Sequence, residues 1–173
     1  MYWKRSRQWA TAVLLAVAMA AAQAGAPNIA LSDLDGKPRN VNEFIGRGQW
    51  VVVALWAHDC SVCAREIHEA ADFHRAHAAD GTARVLGVSI DGRAQRKQAQ
   101  AFVRTHKLPF VNLLAEPDRA VLLAFGAGRF VGTPTYYIYN PAGEIVGENI
   151  GPVTRAELES FIASADNGAD ERK

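Results

Sequence analysis

The sequence predicts an α/β fold in which one mixed β-sheet lies between helices, and three observations support this. Two apolar runs, 50–57 and 84–90, have the composition of strands buried on both faces of a sheet, and a helix-like segment follows each. An aromatic strand at 135–139 turns into a last strand at 144–149, before a closing helix. Right-handed crossovers between such strands leave helices on both faces of the sheet.

The first 24 residues are predicted to be a secretory signal and not part of the fold. Lys4, Arg5 and Arg7 form a positive segment, residues 10–22 are rich in Ala, Val and Leu, and Ala22–Ala24 offers a small-x-small cleavage site. The apolar run is weak as a membrane span, which needs about 20 predominantly apolar residues. We expect export with cleavage, and an uncleaved N-terminal anchor is the alternative.

The rest of the chain is predicted to be one domain, 27–165, followed by a polar, disordered tail at 166–173. The predicted signal holds three of the 19 Lys and Arg residues and none of the 18 Asp and Glu residues, so the mature chain has a net charge of −2. This balance gives no reason to expect binding to nucleic acid or to a strongly anionic surface. We expect a monomer.

The smaller elements have local signals of their own. Residues 29–34 and 37–41 flank the turn dipeptide Asp35-Gly36 and predict an N-terminal β-hairpin extension. A single helical turn is predicted at 42–46 and a short extended stretch at 110–114. Helices are predicted at 63–79, 95–106, 119–125 and from 154 to about 165.

The chemistry is predicted from the only two cysteines, Cys60 and Cys63, which follow the first buried strand in C-x-x-C spacing. This spacing brings both sulfurs into the first helical turn, where they can close a small disulfide ring. The same turn places Cys60 near unpaired backbone N–H groups and the positive end of the helix dipole, which stabilise a thiolate. A strand, C-x-x-C and a helix in this order predict a thioredoxin-like redox site.

A cysteine pair of this spacing also occurs as half of a zinc site, as a structural disulfide or by chance. A zinc site needs about four ligands, usually from a second cysteine pair or from paired histidines. The sequence has no second pair, and His74 and His77 lie too close along the following helix to be convincing partners. In an oxidising compartment, the surrounding strand and helix favour a working redox couple over a permanent disulfide.

Several motifs occur together in one known family. They are Trp56-Ala57-x-x-Cys60-x-x-Cys63, Glu66, Gly87 to Asp91, Gly132-Thr133-Pro134-Thr135, and Tyr137 to Val146 followed by Gly151. On these motifs the chain, from about residue 27 to 163, resembles the TlpA/ResA group of the thioredoxin superfamily. This group contains exported, often membrane-tethered thiol–disulfide oxidoreductases. The resemblance implies a thioredoxin-like fold and a chemistry that needs no metal or organic cofactor.

The resemblance also implies roles for individual residues. Cys60 attacks a client disulfide, and Cys63 resolves the mixed disulfide after Glu66, one helical turn further on, accepts its proton. Glu66 is expected to take this role because Ala54 occupies the position of the buried aspartate of thioredoxin, although it could also be an ordinary solvated helix residue. Thr133–Pro134 is implied to be a cis peptide against the disulfide that holds an extended client.

The expected partners are disulfide-bearing proteins of the periplasm. The family implies apocytochrome c or a copper-site assembly protein as clients, and a membrane thiol transporter as the source of reducing equivalents. Trp56 is expected to pack beside the site and contribute to client binding.

The chain departs from the family before the first cysteine, where Asp59 replaces the usual tryptophan. A carboxylate there disfavours the Cys60 thiolate by like-charge repulsion and makes the couple more reducing, unless the side chain points into water and does little. Ser61 and Val62, between the cysteines, are also expected to tune the couple.

Two other functions use a similar fold. A copper chaperone would employ both sulfurs and a histidine such as His58 or His68, since soft thiolates suit Cu(I). Copper carriers of this fold more often have C-x-x-x-C spacing with a distal histidine, which the sequence lacks. A peroxidase is less favoured because residues 54–60 lack the Pro-x-x-x-Thr-x-x-Cys pattern. A net oxidant or isomerase is also open, since the partner sets the direction of electron flow.

Overall fold

The computed structural model describes residues 25–126 and 128–170, so the predicted signal lies outside the described residues. The strands are β1 (Ala30–Asp33), β2 (Pro38–Asn40), β3 (Trp50–Trp56), β4 (Ala83–Ser89), β5 (Asn112–Leu114), β6 (Thr135–Tyr139) and β7 (Ile145–Ile150). The α-helices are α1 (Ser61–His77), α2 (Arg96–Thr105), α3 (Arg119–Leu123) and α4 (Arg155–Asp170), and short 3₁₀ turns cover Val41–Glu43 and Arg93–Gln95.

The seven described strands form one mixed sheet in the order β2-β1-β5-β4-β3-β6-β7. Strands β3, β4 and β5 are parallel neighbours, whereas β6 runs antiparallel to β3 with Leu55 opposite Thr135. The end of β3, the end of β4 and the start of β6 therefore meet at one edge of the sheet. This edge holds both cysteines, which follow β3, and Thr133–Pro134, which precedes β6.

The sheet separates two hydrophobic cores because all seven residues of β3 are buried. Its even-numbered side chains, from Trp50 to Trp56, pack in a cluster with residues of α1, α2 and α4. Its odd-numbered side chains, from Val51 to Leu55, pack with Val41, Phe44 and Ile45 and with Phe125 after α3. Because the chain moves from β3 to β4 to β5 in one direction, right-handed crossovers place α1 and α2 on the same face. The predicted mixed sheet with helices on both faces is confirmed.

The N-terminal strands are part of the main sheet. Strands β1 and β2 pair antiparallel around Asp35-Gly36, and the Asp33 carboxylate accepts the N–H groups of Asp35 and Lys37 at 2.9 Å. Strand β1 also pairs with β5, Ser32 opposite Leu114, so these strands extend the sheet beyond β5.

The last helix is longer than predicted. It continues to Asp170, whereas the sequence indicated a disordered tail from Asp166. The indole N–H of Trp50 donates to the Asp166 carboxylate at 3.1 Å, which ties this turn to the start of β3. Within 25–126 and 128–170, no helix combines the length and apolar character needed to cross a membrane.

Candidate active site

Cys60 is the N-cap residue of α1, and its sulfur is held by the backbone of the first helical turn. The N–H of Cys63 donates to the Cys60 sulfur at 3.0 Å, and the Cys60 carbonyl accepts the N–H of Ala64. The predicted Cys60–Cys63 disulfide is present, with the two Cα atoms 5.2 Å apart. The helix therefore begins at Ser61, two residues earlier than predicted, because the sulfur itself caps it. This N–H and the helix dipole stabilise negative charge on Cys60 when the bond opens.

The two sulfurs differ in accessibility. Cys60 is partly exposed at the carboxyl end of β3, whereas Cys63 is only 1% exposed and packs in the cluster beneath α1. In this state Cys63 is shielded from solvent, whereas Cys60 is not.

The loop before β6 covers one side of Cys60. The Thr133–Pro134 peptide is cis, as predicted, and the Thr133 carbonyl oxygen lies 3.5 Å from the Cys60 sulfur. A disulfide sulfur carries no proton, so this is a close contact that becomes a hydrogen bond only when Cys60 is a thiol. Pro134 is buried, and its carbonyl accepts the N–H of Gly151 at 2.9 Å. Among the described residues, no group accepts the Thr133 N–H.

Trp56 packs in the same buried cluster as Cys63, beneath the site and not at its surface. It is completely buried, its indole N–H donates to Asn112 at 3.1 Å, and its ring stacks on Phe102 with centroids 4.5 Å apart. The prediction that Trp56 binds the client is therefore wrong for this state. It follows the even-numbered side of β3 into the core, where α2 covers it, and it supports the site from below.

Glu66 lies on α1, one turn beyond Cys63, and is partly buried. Tyr136, on β6 opposite Ala54, is completely buried, and its hydroxyl has no hydrogen-bond partner among the described residues. Burial, followed by the charges of Glu66 and Glu69, raises the pKa of Tyr136 to about 12. The Tyr136 hydroxyl thus stays protonated at neutral pH, on the face of the sheet that α1 covers. Sequence reasoning missed Tyr136, which stood only as part of an aromatic strand.

The residues predicted to tune the redox couple are exposed or half-buried, unlike Cys63. The Cys60 N–H donates to the Ala57 carbonyl at 3.2 Å and closes a turn that holds Asp59 at an exposed position. Ser61 is also exposed, and Val62 is half-buried. The effects of these side chains on the redox couple stay predictions.

A hydrogen-bonded dyad beside the cysteines was not predicted. The Nδ1 of His58 lies 2.7 Å from Asp91 Oδ1, and the His58 backbone N–H also donates to the Asp91 carboxylate. The hydroxyl of buried Ser89 donates to the second Asp91 oxygen at 2.6 Å. His58 follows β3 and Asp91 follows β4, so the parallel pairing of these strands brings the two together.

This geometry agrees with comparisons to known proteins. The model of the AhpC/TSA family matches residues 22–147. The chain belongs to the AhpC/TSA family. ResA of Bacillus subtilis (strain 168), a thiol-disulfide oxidoreductase, is 25% identical over 137 residues, which cover 79% of this chain and 72% of ResA. Sporulation thiol-disulfide oxidoreductase A of the same organism is 24% identical over 115 residues, or 66% and 67% of the two chains.

Solved structures show the same fold for this AhpC/TSA family member. A thiol:disulfide interchange protein from Bacteroides sp. has a TM-score of 0.66 and 26% identity, with 85% of this chain and 91% of that one covered. StoA from Bacillus subtilis has a TM-score of 0.60 at 21% identity, covering 80% and 98%. The resemblance to the ResA group and the thioredoxin-like fold are confirmed, and the protein is a thiol–disulfide oxidoreductase.

The histidines considered as metal ligands have other partners in this family member. His58 contacts Asp91, His68 lies 2.8 Å from the Arg65 carbonyl, and His77 lies 2.9 Å from Glu159. The Nδ1 of His74 accepts the N–H of Val85 at 3.1 Å, and burial lowers the His74 pKa. These contacts give no support to a zinc or copper site built on the cysteines.

Proposed function

We propose that this protein is an exported dithiol reductant of disulfides in client proteins. The observation that carries the proposal is the asymmetry of the cysteine pair. Cys60 is accessible and caps α1 with its sulfur on a backbone N–H, whereas Cys63 is buried beside it. A reductant of this type needs one sulfur that attacks the client disulfide and a second that attacks only the mixed disulfide within the protein.

The reaction proceeds in two exchanges. The Cys60 thiolate attacks one sulfur of the client disulfide, forms a mixed disulfide and expels the other client sulfur. Cys63 then loses its proton to Glu66 and attacks the Cys60 sulfur, which releases the reduced client and closes the Cys60–Cys63 disulfide. Two electrons pass from the dithiol to the client, and a positioned carboxylate serves the buried sulfur because water has little access to it.

Client binding is proposed at the loop before β6. The Thr133 N–H has no partner among the described residues, so an extended client segment can add to it as a short strand. Val131 is 68% exposed and offers an apolar contact on the same loop. Backbone pairing beside one apolar side chain suits many client sequences.

The proposed setting is the periplasm, reached through the signal at residues 1–24, which is either cleaved or kept as a tether. Periplasmic clients would be apocytochrome c or a copper-site assembly protein, and a membrane thiol transporter would return electrons to the monomeric enzyme. Disulfide clients for this chain are consistent with the relatives named thiol-disulfide oxidoreductases.

A trapping experiment tests the assignment. Cys63→Ser is expected to hold clients in a covalent complex through Cys60, because the resolving sulfur is gone, and mass spectrometry identifies the clients. Cys60→Ser is the matched control and should trap none. If Cys60→Ser traps clients instead, the two roles are reversed.

The reduction potential tests the direction of electron flow. A value near that of thioredoxin, about −270 mV, supports a reductant, and one near about −120 mV indicates an oxidant. Stoichiometric copper after anaerobic purification, with little disulfide reductase activity, would favour a copper chaperone instead.

A further inference from the structure

We propose that His58, held by Asp91, is a catalytic residue that donates a proton to the client sulfur expelled when Cys60 attacks the client disulfide. The inference rests on the proposed function, because it concerns the first of the two exchanges. It assigns the outer side of the disulfide its own proton carrier, distinct from Glu66 on the inner side.

The hydrogen bonds of Asp91 fix how His58 is held. The Asp91 side chain is 4% exposed, and its oxygens accept the His58 backbone N–H at 3.0 and 3.1 Å and the Ser89 hydroxyl at 2.6 Å. An ionised carboxylate only accepts hydrogen bonds, so the 2.7 Å contact to His58 Nδ1 requires a proton on Nδ1. The other ring nitrogen, Nε2, has no hydrogen-bond partner among the described residues and is therefore the one available to a client.

The position of His58 suits an exchange with a client. His58 lies within the turn that the Cys60 N–H closes onto the Ala57 carbonyl, two residues before the attacking cysteine. The His58 side chain keeps 27% of its surface exposed even though Nδ1 is engaged. Carboxylate-held imidazoles with one free nitrogen are the usual proton carriers beside a nucleophile.

The charges around the ring suit a proton donor. A ring nitrogen of His58 and one oxygen each of Asp59 and Asp91 lie within 4.8 Å of one another. Both carboxylates compensate the charge of an imidazolium. Asp59, the residue that departs from the family pattern, thus lies near the histidine and is next to Cys60 in the sequence.

The Cys60 thiolate forms a bond to the nearer client sulfur, the client S–S bond breaks, and the departing sulfur takes the electron pair. The imidazolium of His58 gives its Nε2 proton to that sulfur. The products are the Cys60–client mixed disulfide, a client thiol and a neutral imidazole, which solvent protonates again before the next cycle.

The test varies the leaving group. In the reduced Cys63→Ser background only the first exchange occurs, and its rate is measured with glutathione disulfide and with 5,5′-dithiobis(2-nitrobenzoic acid). The first expels a basic alkyl thiolate that benefits from a proton donor, and the second expels an acidic aromatic thiolate that does not. His58→Asn keeps a hydrogen-bond donor toward Asp91 but cannot deliver a proton.

We expect His58→Asn to slow the reaction with glutathione disulfide by about 10-fold or more, and to leave the reaction with the aromatic disulfide unchanged. Added imidazole should restore part of the rate in His58→Gly. The matched control is His68→Asn on α1, whose side chain is 61% exposed and takes no part in the site; it should change neither rate.

Equal slowing of both reactions, or no change in either, would overturn the inference, because a structural role does not distinguish leaving groups. Ser89→Ala provides a second variant if His58→Asn folds poorly: it removes one hydrogen bond from Asp91 and should show the same selectivity to a smaller degree. If the Cys63→Ser background attacks neither disulfide, the proposed function itself fails, and this outcome is distinct from a loss of selectivity.

Discussion

The inner and outer sides of Cys60 are built differently, although one sulfur serves both. On the inner side lie buried Cys63, Ala54 and Tyr136, beneath α1 and away from water. On the outer side lie Asp59 and Val131, which are exposed to solvent, and Thr133, which is partly exposed. In the proposed mechanism, different groups therefore carry protons in the two exchanges: Glu66 within the protein and His58 outside it.

The largest expected effect is on stability, through the buried hydrogen bond between Trp56 and Asn112. Gly87→Ala would place a Cβ 2.0 Å from Asn112 Oδ1, so Asn112 must move and release the indole of Trp56. We expect a loss of about 3 kcal/mol in the free energy of unfolding, measured with urea, from overpacking and a buried polar group left unpaired. Trp56→Phe is the control, since it removes the hydrogen bond without a clash and should cost less. Wild-type stability in Gly87→Ala would show that Asn112 does not hold Trp56.

The next effect separates the two exchanges. Glu66→Gln cannot accept a proton, so resolution by Cys63 should slow by about 100-fold while the attack by Cys60 keeps its rate. Rapid acid quenching would show the mixed disulfide accumulating during turnover. Glu69→Gln is the matched control, because the charge of Glu69 also acts on Tyr136. This variant should resolve the mixed disulfide at the normal rate. Unchanged resolution in Glu66→Gln would make this residue an ordinary helix glutamate.

Tyr136→Phe sharpens the account of the inner side through stability. The hydroxyl is buried without a partner among the described residues, so its removal should raise the free energy of unfolding by about 1 kcal/mol. Urea unfolding of the oxidised protein gives this value. A loss of stability instead would mean that the hydroxyl has a partner that stabilises the fold.

The smallest expected effect lies on the outer side. Asp59→Asn removes the carboxylate next to Cys60, so the thiolate and the reduced form gain stability and the reduction potential rises. Because Asp59 is exposed, we expect a rise of only about 10–20 mV, measured against glutathione. A fall in potential would contradict the predicted direction.

The sequence was most informative where a local pattern suffices. The C-x-x-C spacing between strand and helix predicted the Cys60–Cys63 pair, and likeness to the ResA group predicted the cis peptide before Pro134. Client contact by Trp56 was wrongly predicted because composition shows that a strand end is apolar but not that its side chain is fully buried. The His58–Asp91 dyad was missed because the two residues lie 33 positions apart and meet only through the register of β3 and β4.

The central claim is that Cys60 is the activated, outward sulfur and Cys63 the shielded one. Timed alkylation of the reduced wild-type protein with limiting iodoacetamide, mapped by mass spectrometry across a pH series, measures this directly. The account predicts that Cys60 is modified first, and at lower pH than an unperturbed cysteine, because a backbone N–H and the helix dipole stabilise its thiolate. Equal modification of the two sulfurs, or earlier modification of Cys63, would contradict it.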